Sequence, residues 1–318
     1  MLRKWGARSA IALAAVAAFA VDSLALGPDR PAPRGSYDAV VRVYDGGGFG
    51  TGSVIAKGRF GDDWVVCVLT ADHNVTGGGN TIAFHNLGDA DEFSGQIFQA
   101  HRGGPNGQVD LAVLGVRIPN RNLTAAQSAF MNNLNALALL RTGNPVGSTF
   151  TMPGYGLTGD LVNDQFGNPS GYLRRANSGE IKRYGNNSFT VRRNVSVPGA
   201  GGYFYDSVGW ELDGAGFDVP GEMTSYGGDS GAPYLMAFAD TVGGLRVFRD
   251  GIMGVHTLGN NSGFNGFYPF PTSSSAGVYL NDHYIDWIVD RCHSIPEPAS
   301  IMALLMGSGL LAALKRRR

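Results

Sequence analysis

The chain has 318 residues, enough for one large domain or two small ones with a full hydrophobic core. Charged residues make up 16% and the formal net charge is -1, so the composition supplies no strong field for nucleic acid or another anionic partner. The 48 glycines, with many Val, Tyr, Phe and Thr residues, favour short strands joined by tight turns. The two cysteines, Cys67 and Cys292, allow one disulfide but do not identify the compartment.

Residues 1–25 are typical of a secretory signal peptide. Arg3, Lys4 and Arg8 precede the apolar run 11–21, and small residues suited to cleavage follow. The chain is therefore predicted to be exported. A buried N-terminal helix is the alternative interpretation of this segment.

A series of short strand-like segments begins at residue 37. Glycine and aspartate separate these segments, as expected for an antiparallel barrel. The six predicted strands are residues 37–44, 50–56, 64–70, 81–84, 93–98 and 110–116. The segment 123–140 departs from this pattern, and the capping-box pair Thr124 and Gln127 predicts a connecting helix there.

Strand-like segments resume in the second half of the chain and predict a second barrel. They are residues 149–155, 188–197, 233–238, 245–255 and 277–280. A closing helix is expected after them, because Tyr284, Ile285, Ile288 and Val289 form one apolar face at helical spacing.

The C-terminal segment has three parts in order. Pro296-Glu297-Pro298 is followed by an uncharged run over 299–314 and by a basic cluster at 315–318. The 16 residues of that run span about 24 Å as a helix, against about 30 Å for a bilayer's hydrocarbon core. A basic cluster prefers the cytoplasmic side. The segment is therefore predicted to insert into a membrane as a stop-transfer helix.

These patterns divide the chain into three regions: a signal peptide at 1–25, an all-β domain at 36–293 and a membrane segment at 294–318. The parts of the all-β domain are a first barrel (36–120), a second barrel (140–280) and a closing helix (281–292). Long loops are expected at 156–172 and 197–226.

A candidate nucleophile lies in the segment Gly227-Gly228-Asp229-Ser230-Gly231-Ala232-Pro233. A serine hydroxyl needs a base to remove its proton and donors to hold the oxyanion, and glycines allow backbone amides to converge on one point. His73 ends an apolar strand and can serve as the base, while Asp110 opens another strand and can orient that base. Taken singly, Ser230 is also compatible with an ordinary turn and Asp110 with a strand start.

Together these segments resemble, in the same order, the three catalytic segments of the trypsin-like (chymotrypsin-fold) serine proteases. The matching segments are Leu69-Thr70-Ala71-Asp72-His73, Asp110-Leu111-Ala112-Val113-Leu114 and Gly228-Asp229-Ser230-Gly231-Ala232-Pro233. Further similarity is found in Gly50-Thr51-Gly52-Ser53-Val54-Ile55, Gly154-Tyr155-Gly156-Leu157-Thr158, Val255-His256-Thr257-Leu258-Gly259 and Tyr284-Ile285-Asp286-Trp287-Ile288. The resemblance extends over residues 37–292. It implies two six-stranded antiparallel barrels with a C-terminal helix, and an active site in the cleft between the barrels.

The resemblance implies a role for each matching residue. His73 would take the proton of Ser230 as Ser230 attacks a peptide carbonyl, and Asp110 would fix the tautomer of His73. The backbone amides of Gly228 and Ser230 would form the oxyanion hole. Asp229 would be the buried carboxylate beside the nucleophile.

The chain departs from the family pattern at three places. Asp72 replaces the small residue usual before the histidine, and a second carboxylate there is able to perturb His73. No cysteine follows His73, so the common local disulfide is absent. No Ile/Val-Val-Gly-Gly segment precedes Val41, so activation by a new N-terminus that pairs with Asp229 is not supported.

The resemblance also indicates a primary specificity pocket. Its residues would be Thr224, Ser225, His256, Thr257 and Gly259. Thr224 stands where trypsin has the acid that selects Lys and Arg, so the pocket would be neutral and polar. His256 corresponds to the histidine with which glutamyl endopeptidases of this fold recognise a substrate carboxylate, and an internally hydrogen-bonded histidine is the alternative. Thr257 corresponds to the hydroxyl residue that supports the buried aspartate.

Acidic or small polar residues are therefore expected before the scissile bond. No cofactor is expected. No metal site is expected either, because the oxygen-rich stretch 160–168 lacks EF-hand spacing. The expected substrate is a protein or peptide, with no nucleic-acid partner.

The C-terminal segment resembles the PEP-CTERM sorting signal of Gram-negative bacteria. The resemblance implies export, transient insertion into the inner membrane and processing by an exosortase-type enzyme. The final location would be the cell surface or the extracellular matrix. A permanent single-span anchor is the rival interpretation.

Two other functions remain open at this point. A catalytically silent trypsin-like domain would act as a surface or matrix binding module. An esterase or another hydrolase is suggested by Gly228-Asp229-Ser230-Gly231-Ala232, which is close to the nucleophile elbow of the α/β hydrolases. That fold needs a helix after the serine, whereas strand-like segments follow here.

Overall fold

The computed structural model describes residues 31–295 except 34, 47, 77–79, 86–87, 158, 168, 175–180, 198–201, 212–221, 224, 226, 243–244, 261–266 and 270–273. The predicted signal peptide and the chain from Pro296 onward lie outside these residues. Within the described part of the chain, no helix is long and apolar enough to cross a membrane.

The first half of the chain forms a closed barrel of antiparallel strands. These are β1 (Val40–Asp45), β2 (Gly48–Phe60), β3 (Asp63–Thr70), β4 (Asn80–Phe84), β5 (Phe93–Arg102) and β6 (Ala112–Ile118). Their order around the barrel is β1-β2-β3-β6-β5-β4, and β4 pairs back onto β1. Apolar side chains fill the interior, among them Val41, Val54, Ile82, Leu114 and Val116. The six strands and the barrel expected from the sequence are confirmed.

The connecting helix is shorter than the sequence predicts. A 3-10 turn (Asn120–Asn122) leads into α1 (Ala125–Asn133). The capping box is present, with Thr124 Oγ1 accepting from the amide of Gln127 at 3.2 Å and Gln127 Oε1 accepting from the amide of Thr124 at 2.8 Å. The helix stops before residue 140 because the amides of Leu137 and Leu140 donate to strand carbonyls instead.

The second half contains more strands than the sequence predicts. They are β7 (Ala138–Leu139), β8 (Thr149–Gly154), β9 (Gly159–Asn163), β10 (Pro169–Arg174), β11 (Arg183–Ser188), β12 (Val191–Val197), β13 (Tyr203–Glu211), β14 (Pro233–Val242), β15 (Leu245–Asn260), β16 (Phe267–Pro269) and β17 (Ser274–Tyr279). The main sheet has the order β11-β8-β14-β15-β17-β13-β12, with β7 paired to β15. The strands β16, β10 and β9 form a separate sheet.

The second sheet differs from the expected second barrel. Among the described strands it is an open half-barrel, with β11 and β12 at its ends. Most of β12 is exposed, and only Val195 and Val197 on it pack against an apolar cluster. The hairpin β9–β10 and the strand β13 occupy segments that were expected to be loops. The all-β, chymotrypsin-like fold is nonetheless confirmed, which excludes the α/β hydrolase alternative.

A shared apolar cluster joins the two halves. Leu69 and Val113 from the barrel pack in one cluster with Leu235 and Ile252 from the second sheet. The helix α2 (Asp282–Ser294) buries Tyr284, Ile285 and Ile288 in the same cluster. Its start is capped by Asn281, whose Oδ1 accepts from the amide of Tyr284 at 3.0 Å. This cluster fixes the position of the barrel's His73 end relative to the sheet.

A disulfide between Cys67 and Cys292 fastens α2 to β3, with 5.8 Å between the Cα atoms. Cys67 is buried and Cys292 packs against the shared cluster. The pairing that the sequence left open is therefore present.

Candidate active site

His73 and Asp110 are brought together at one end of the barrel. The strand β3 ends at Thr70, and a 3-10 turn (Asp72–Val75) carries His73 beyond it. The imidazole Nδ1 lies 2.7 Å from Asp110 Oδ2, and the amide of His73 donates to Asp110 Oδ1 at 3.0 Å. Asp110 is only 2% exposed, whereas the side chain of His73 is 29% exposed. Because a carboxylate only accepts, Nδ1 carries the proton and Nε2 is left as the basic nitrogen.

Ser230 lies on a tight loop before β14, and the barrel holds its backbone. The carbonyl oxygen of Ser230 accepts from the amide of Thr51 at 2.7 Å and from Asn74 Nδ2 at 2.6 Å. Thr51 Oγ1 also donates to the carbonyl of Gly228 at 2.8 Å. Asn74 directly follows His73, so the turn of the predicted base is bonded to the residue of the predicted nucleophile.

Two glycines of this loop adopt backbone conformations that other residues rarely take. Gly228 has a φ of +101° and Gly231 a φ of +87°. A Cβ atom on Gly231 would lie 1.9 Å from the carbonyl oxygen of Thr51. The loop can therefore approach β2 this closely only with glycine at 231.

No hydrogen bond joins the hydroxyl of Ser230 to the imidazole of His73 among the described residues. In free enzymes such bonds are often long and tighten only when substrate binds. Asn74 and His256 instead show that the His73 turn and the Ser230 loop lie close together. His73 helps to lower the pKa of His256, and the carbonyl of His256 accepts from the amide of Gly231 at 2.7 Å.

Asp229 is buried and is directed towards the end of β8. Its Oδ1 accepts from the amide of Gly156 at 2.8 Å. A Cβ atom on Gly156 would lie 2.1 Å from Asp229 Oδ2, so glycine is required there. The carboxylate therefore fixes the Ser230 loop against the start of the second half.

His256 is buried within β15 and is internally hydrogen-bonded. Its Nδ1 lies 2.9 Å from the hydroxyl of Tyr234, and that hydroxyl accepts from Trp210 Nε1 at 3.3 Å. Burial and the neighbouring His73 lower the pKa of His256 to about 3. His256 is therefore neutral. Trp210 Nε1 can only donate, so among the described residues Nδ1 is the acceptor available to the hydroxyl proton of Tyr234. With Tyr234 as the donor, the ring proton of His256 lies on Nε2.

The remaining predicted pocket residues lie in different surroundings. Thr224 lies outside the described residues. Ser225 is buried, with its hydroxyl 2.7 Å from that of Ser275, and Gly259 is exposed near the end of β15. Thr257 was expected to support Asp110, but the described residues show no hydrogen bond between these two side chains. The hydroxyl of Thr257 lies 2.8 Å from that of Tyr205, so Tyr205 occupies the bonding position expected for the aspartate.

The carboxylate of Asp72 is turned away from the His73 ring towards the end of β5. It accepts from Arg102, from the amide of Gly103 and from the hydroxyl of Tyr203. Sequence reasoning missed Arg102 and Tyr203, and it also missed Asn74. The one sequence signal that pointed to these contacts was the unusual pair Asp72 and Asn74 on either side of His73.

The described residues contain no group of three or more His, Cys, Asp or Glu side chains placed to hold a metal ion. The titratable side chains of the site, His73, Asp110, Asp72, Asp229 and His256, instead have hydrogen-bonding partners. The arrangement supplies an oriented imidazole beside a serine loop, which is suited to nucleophilic acyl transfer.

Comparison with known proteins gives structural but not sequence relatives. No family model matches the chain. No curated protein matches it either. A Glu endopeptidase structure matches with 14% identity and a TM-score of 0.46, over 81% of this chain and 92% of that one. The Rv3671c protease of M. tuberculosis, in an inactive form, matches with 15% identity and a TM-score of 0.43, over 83% and 97%.

Human heparin binding protein matches with 17% identity and a TM-score of 0.50, over 85% of this chain and 97% of that one. At such low identity the similarity concerns the fold alone. The chain is therefore similar in structure to chymotrypsin-fold serine proteases, and its closed barrel and half-barrel sheet have their architecture.

Proposed function

We propose that this chain is a serine endopeptidase that cleaves peptide bonds through an acyl-enzyme. The observation that carries the proposal is the 2.7 Å contact of His73 with buried Asp110, in a turn whose next residue, Asn74, binds the carbonyl of Ser230. His73 is the general base, Asp110 is the carboxylate that orients it, and Ser230 is the nucleophile.

The chemical steps follow from the protonation state of His73. Asp110 accepts from Nδ1, so Nε2 is free to take the proton of Ser230 as its Oγ attacks the peptide carbonyl. The imidazolium that forms is stabilised by the Asp110 carboxylate. It returns its proton to the leaving amine. In the second half of the reaction His73 takes a proton from water as the water attacks the acyl carbonyl, and it then gives that proton to Ser230 Oγ as the acyl bond breaks.

The oxyanion is assigned to the amides of Gly228 and Ser230. Neither amide donates a hydrogen bond among the described residues, and the positive φ of Gly228 lets the loop direct both towards one point. Loss of one such donor typically raises the barrier by about 3 kcal/mol.

A preference for acidic or small polar residues before the scissile bond is part of the proposal. The chain of contacts from Trp210 through Tyr234 gives neutral His256 a proton on Nε2. A neutral N–H can donate to the carboxylate of a glutamate, the amide oxygen of a glutamine or a hydroxyl oxygen without forming an ion pair. A cleavage profile dominated by Arg, Lys or large aromatic residues would overturn this preference.

We further propose export through the signal at 1–25, with transient insertion of the tail 294–318 into the inner membrane. Processing near Pro296-Glu297-Pro298 by an exosortase-type enzyme would release the domain to the cell surface or matrix. The test is the mass of the C-terminal peptide of the exported protein. A terminus at Arg318 would contradict processing.

The activity is tested by labelling folded, exported protein with a fluorophosphonate, beside its Ser230→Ala and His73→Ala variants. Labelling at Ser230 that is lost in both variants supports the proposal. Failure of the folded wild-type protein to label, together with no peptide hydrolysis, would favour the silent binding module instead.

A further inference from the structure

Asp72 carries a buried carboxylate that the acyl-transfer steps do not use. Four contacts occupy its two oxygens: Arg102 Nε at 2.8 Å and the Gly103 amide at 3.1 Å on Oδ1, and Arg102 Nη2 at 3.0 Å and the Tyr203 hydroxyl at 2.7 Å on Oδ2. All four partners are hydrogen-bond donors and one of them is the cationic Arg102, so both carboxylate oxygens are satisfied. Asp72 directly precedes His73, so its charge is built into the turn of the base.

The donors come from both halves of the fold. Arg102 ends β5 and Gly103 follows it, whereas Tyr203 begins β13. The carbonyl of Gly103 accepts from the amide of Val109 at 2.9 Å, and Asp110 comes next in the chain. Asp72 therefore links the turn of His73, the loop that ends at Asp110 and the second sheet.

The strand β13 contacts this loop a second time. The amide of Phe204 donates to the carbonyl of Gln108 at 2.7 Å. A Cβ atom on Gly103 would lie 2.7 Å from the Cα of Gly107, so the loop folds tightly on itself. Asp72 therefore holds one end of this loop, and β13 holds the other end.

Asp72 also places a second negative charge near the pair formed by His73 and Asp110. Burial raises the pKa of Tyr203, and the hydrogen bond to Asp72 and the charges of Asp110 and Asp72 add to this rise, so both carboxylates act on one tyrosine. An uncompensated carboxylate there would favour the protonated imidazole and remove the base. The bidentate Arg102 supplies the opposite charge.

We propose that Asp72 is a positioning residue for His73 and Asp110, and that Arg102 is the counter-charge that lets it act without perturbing them. The inference rests on the proposed function, in that His73 is taken as the base. The charged or titratable groups around this pair are Asp72, Arg102, Tyr203, Tyr205 and His256.

The charge role is tested with Arg102→Met and with the double variant Asp72→Asn/Arg102→Met. The side chain of Arg102 is 42% exposed, so methionine leaves no cavity. The titration midpoint of the His73 imidazole is followed by NMR, and the pH dependence of fluorophosphonate labelling is measured in parallel. Arg102→Met is expected to move both to higher pH by about half to one unit. The double variant, which removes both charges, is expected to return them to the wild-type value.

Arg117→Met is the matched control. It breaks the Arg117–Asp63 pair, with Nε 2.7 Å from Oδ2, near the opposite end of β6, and it is expected to leave both midpoints unchanged. An unshifted Arg102→Met, or a double variant shifted as far as Arg102→Met, would overturn the charge role. If the wild-type protein does not label at all, the proposed function fails, while the NMR titration still decides this inference.

The positioning role has its own measurement. Tyr203→Phe removes the bond to β13 without removing a charge, and it is expected to speed hydrogen exchange at the Val109 amide by about tenfold. Unchanged exchange there would overturn the positioning role. The double variant Asp72→Asn/Arg102→Met separates the charge effect from a purely structural one, because a shift caused by lost packing would not be reversed when the second charge is also removed.

Discussion

Asn74 donates a 2.6 Å hydrogen bond to the carbonyl of Ser230, across 156 positions of the chain. The same amide contacts Thr70 Oγ1 at 3.0 Å. A Cβ atom on Gly50 would lie 2.3 Å from Asn74 Nδ2, and one on Gly231 would lie 2.8 Å from it. Gly50 and Gly231, from two separate motifs, therefore leave the space that this side chain occupies.

Asn74→Ala is expected to lower kcat by about ten- to a hundredfold and to change KM by less than about threefold. The variant leaves the part-buried carbonyl of Ser230 with the Thr51 amide as its remaining donor, and a small displacement of a reacting group can lower the rate by as much as about a hundredfold. Because the loss displaces the nucleophile and not the pocket, it falls on kcat. Gln127→Ala, which removes a buried amide from α1, is the control and is expected to lower stability without lowering kcat. Equal kcat values for Asn74→Ala and wild type would contradict the positioning of Ser230 by Asn74.

Gly231→Ala is expected to abolish labelling at Ser230 and to lower the melting temperature. The added Cβ would lie 1.9 Å from the Thr51 carbonyl at a φ of +87°, so the loop must move away from β2. Such backbone strain costs on the order of 3 kcal/mol or more. Gly58→Ala, at an exposed position of β2 with nothing within 4 Å of the added atom, is the matched control. Full labelling of Gly231→Ala would show that the close approach is not needed.

The sequence predicts the first barrel well, since each strand is an apolar run ended by glycine or aspartate. It predicts the second half less well. In β13, Asp206 and Ser207 interrupt the apolar pattern even though Tyr203 and Tyr205 are buried. Their burial depends on α2 and on the barrel, which are distant in the chain, so no local pattern reveals it.

The candidate site shows the same limit. The residue order His73, Asp110, Ser230 is visible in the sequence because each lies in a recognisable segment. The partners of Asp72 and Thr257 are not visible, because hydrogen bonds between distant strands decide them. Thr257 bonds Tyr205 instead of Asp110 for this reason, and Asp72 finds its counter-charge on Arg102.

The stability of the protein is expected to depend on pH through His256. Burial holds its pKa at about 3, against 6.5 in an exposed histidine. The unfolded chain takes up this proton below about pH 6.5 and the folded chain does so only near pH 3. The free energy of unfolding therefore falls as the pH falls through this range, by at most about 1.4 kcal/mol per pH unit from this group.

His256→Gln is expected to reduce that slope, because glutamine does not titrate. The measurement is urea unfolding at several values between pH 4 and pH 7, beside wild type and the exposed control His283→Gln. The control is expected to keep the wild-type slope. The same slope in all three proteins would mean that buried His256 does not carry the acid sensitivity.

Loss of the Cys67–Cys292 disulfide is expected to destabilise the protein without changing the chemistry. The bridge closes a loop of 225 positions and fastens α2 to β3, and removing such a constraint from the unfolded chain typically costs about 2–5 kcal/mol. Cys67→Ser/Cys292→Ser should therefore lower the melting temperature by about 5–15 °C, as should reduction of the wild type. Reduction of the double variant is the control and should change nothing. The labelling rate at 25 °C should stay within about twofold of wild type, because neither cysteine touches His73, Asp110 or Ser230. A large fall in that rate with an unchanged melting temperature would contradict this structural role for the bridge.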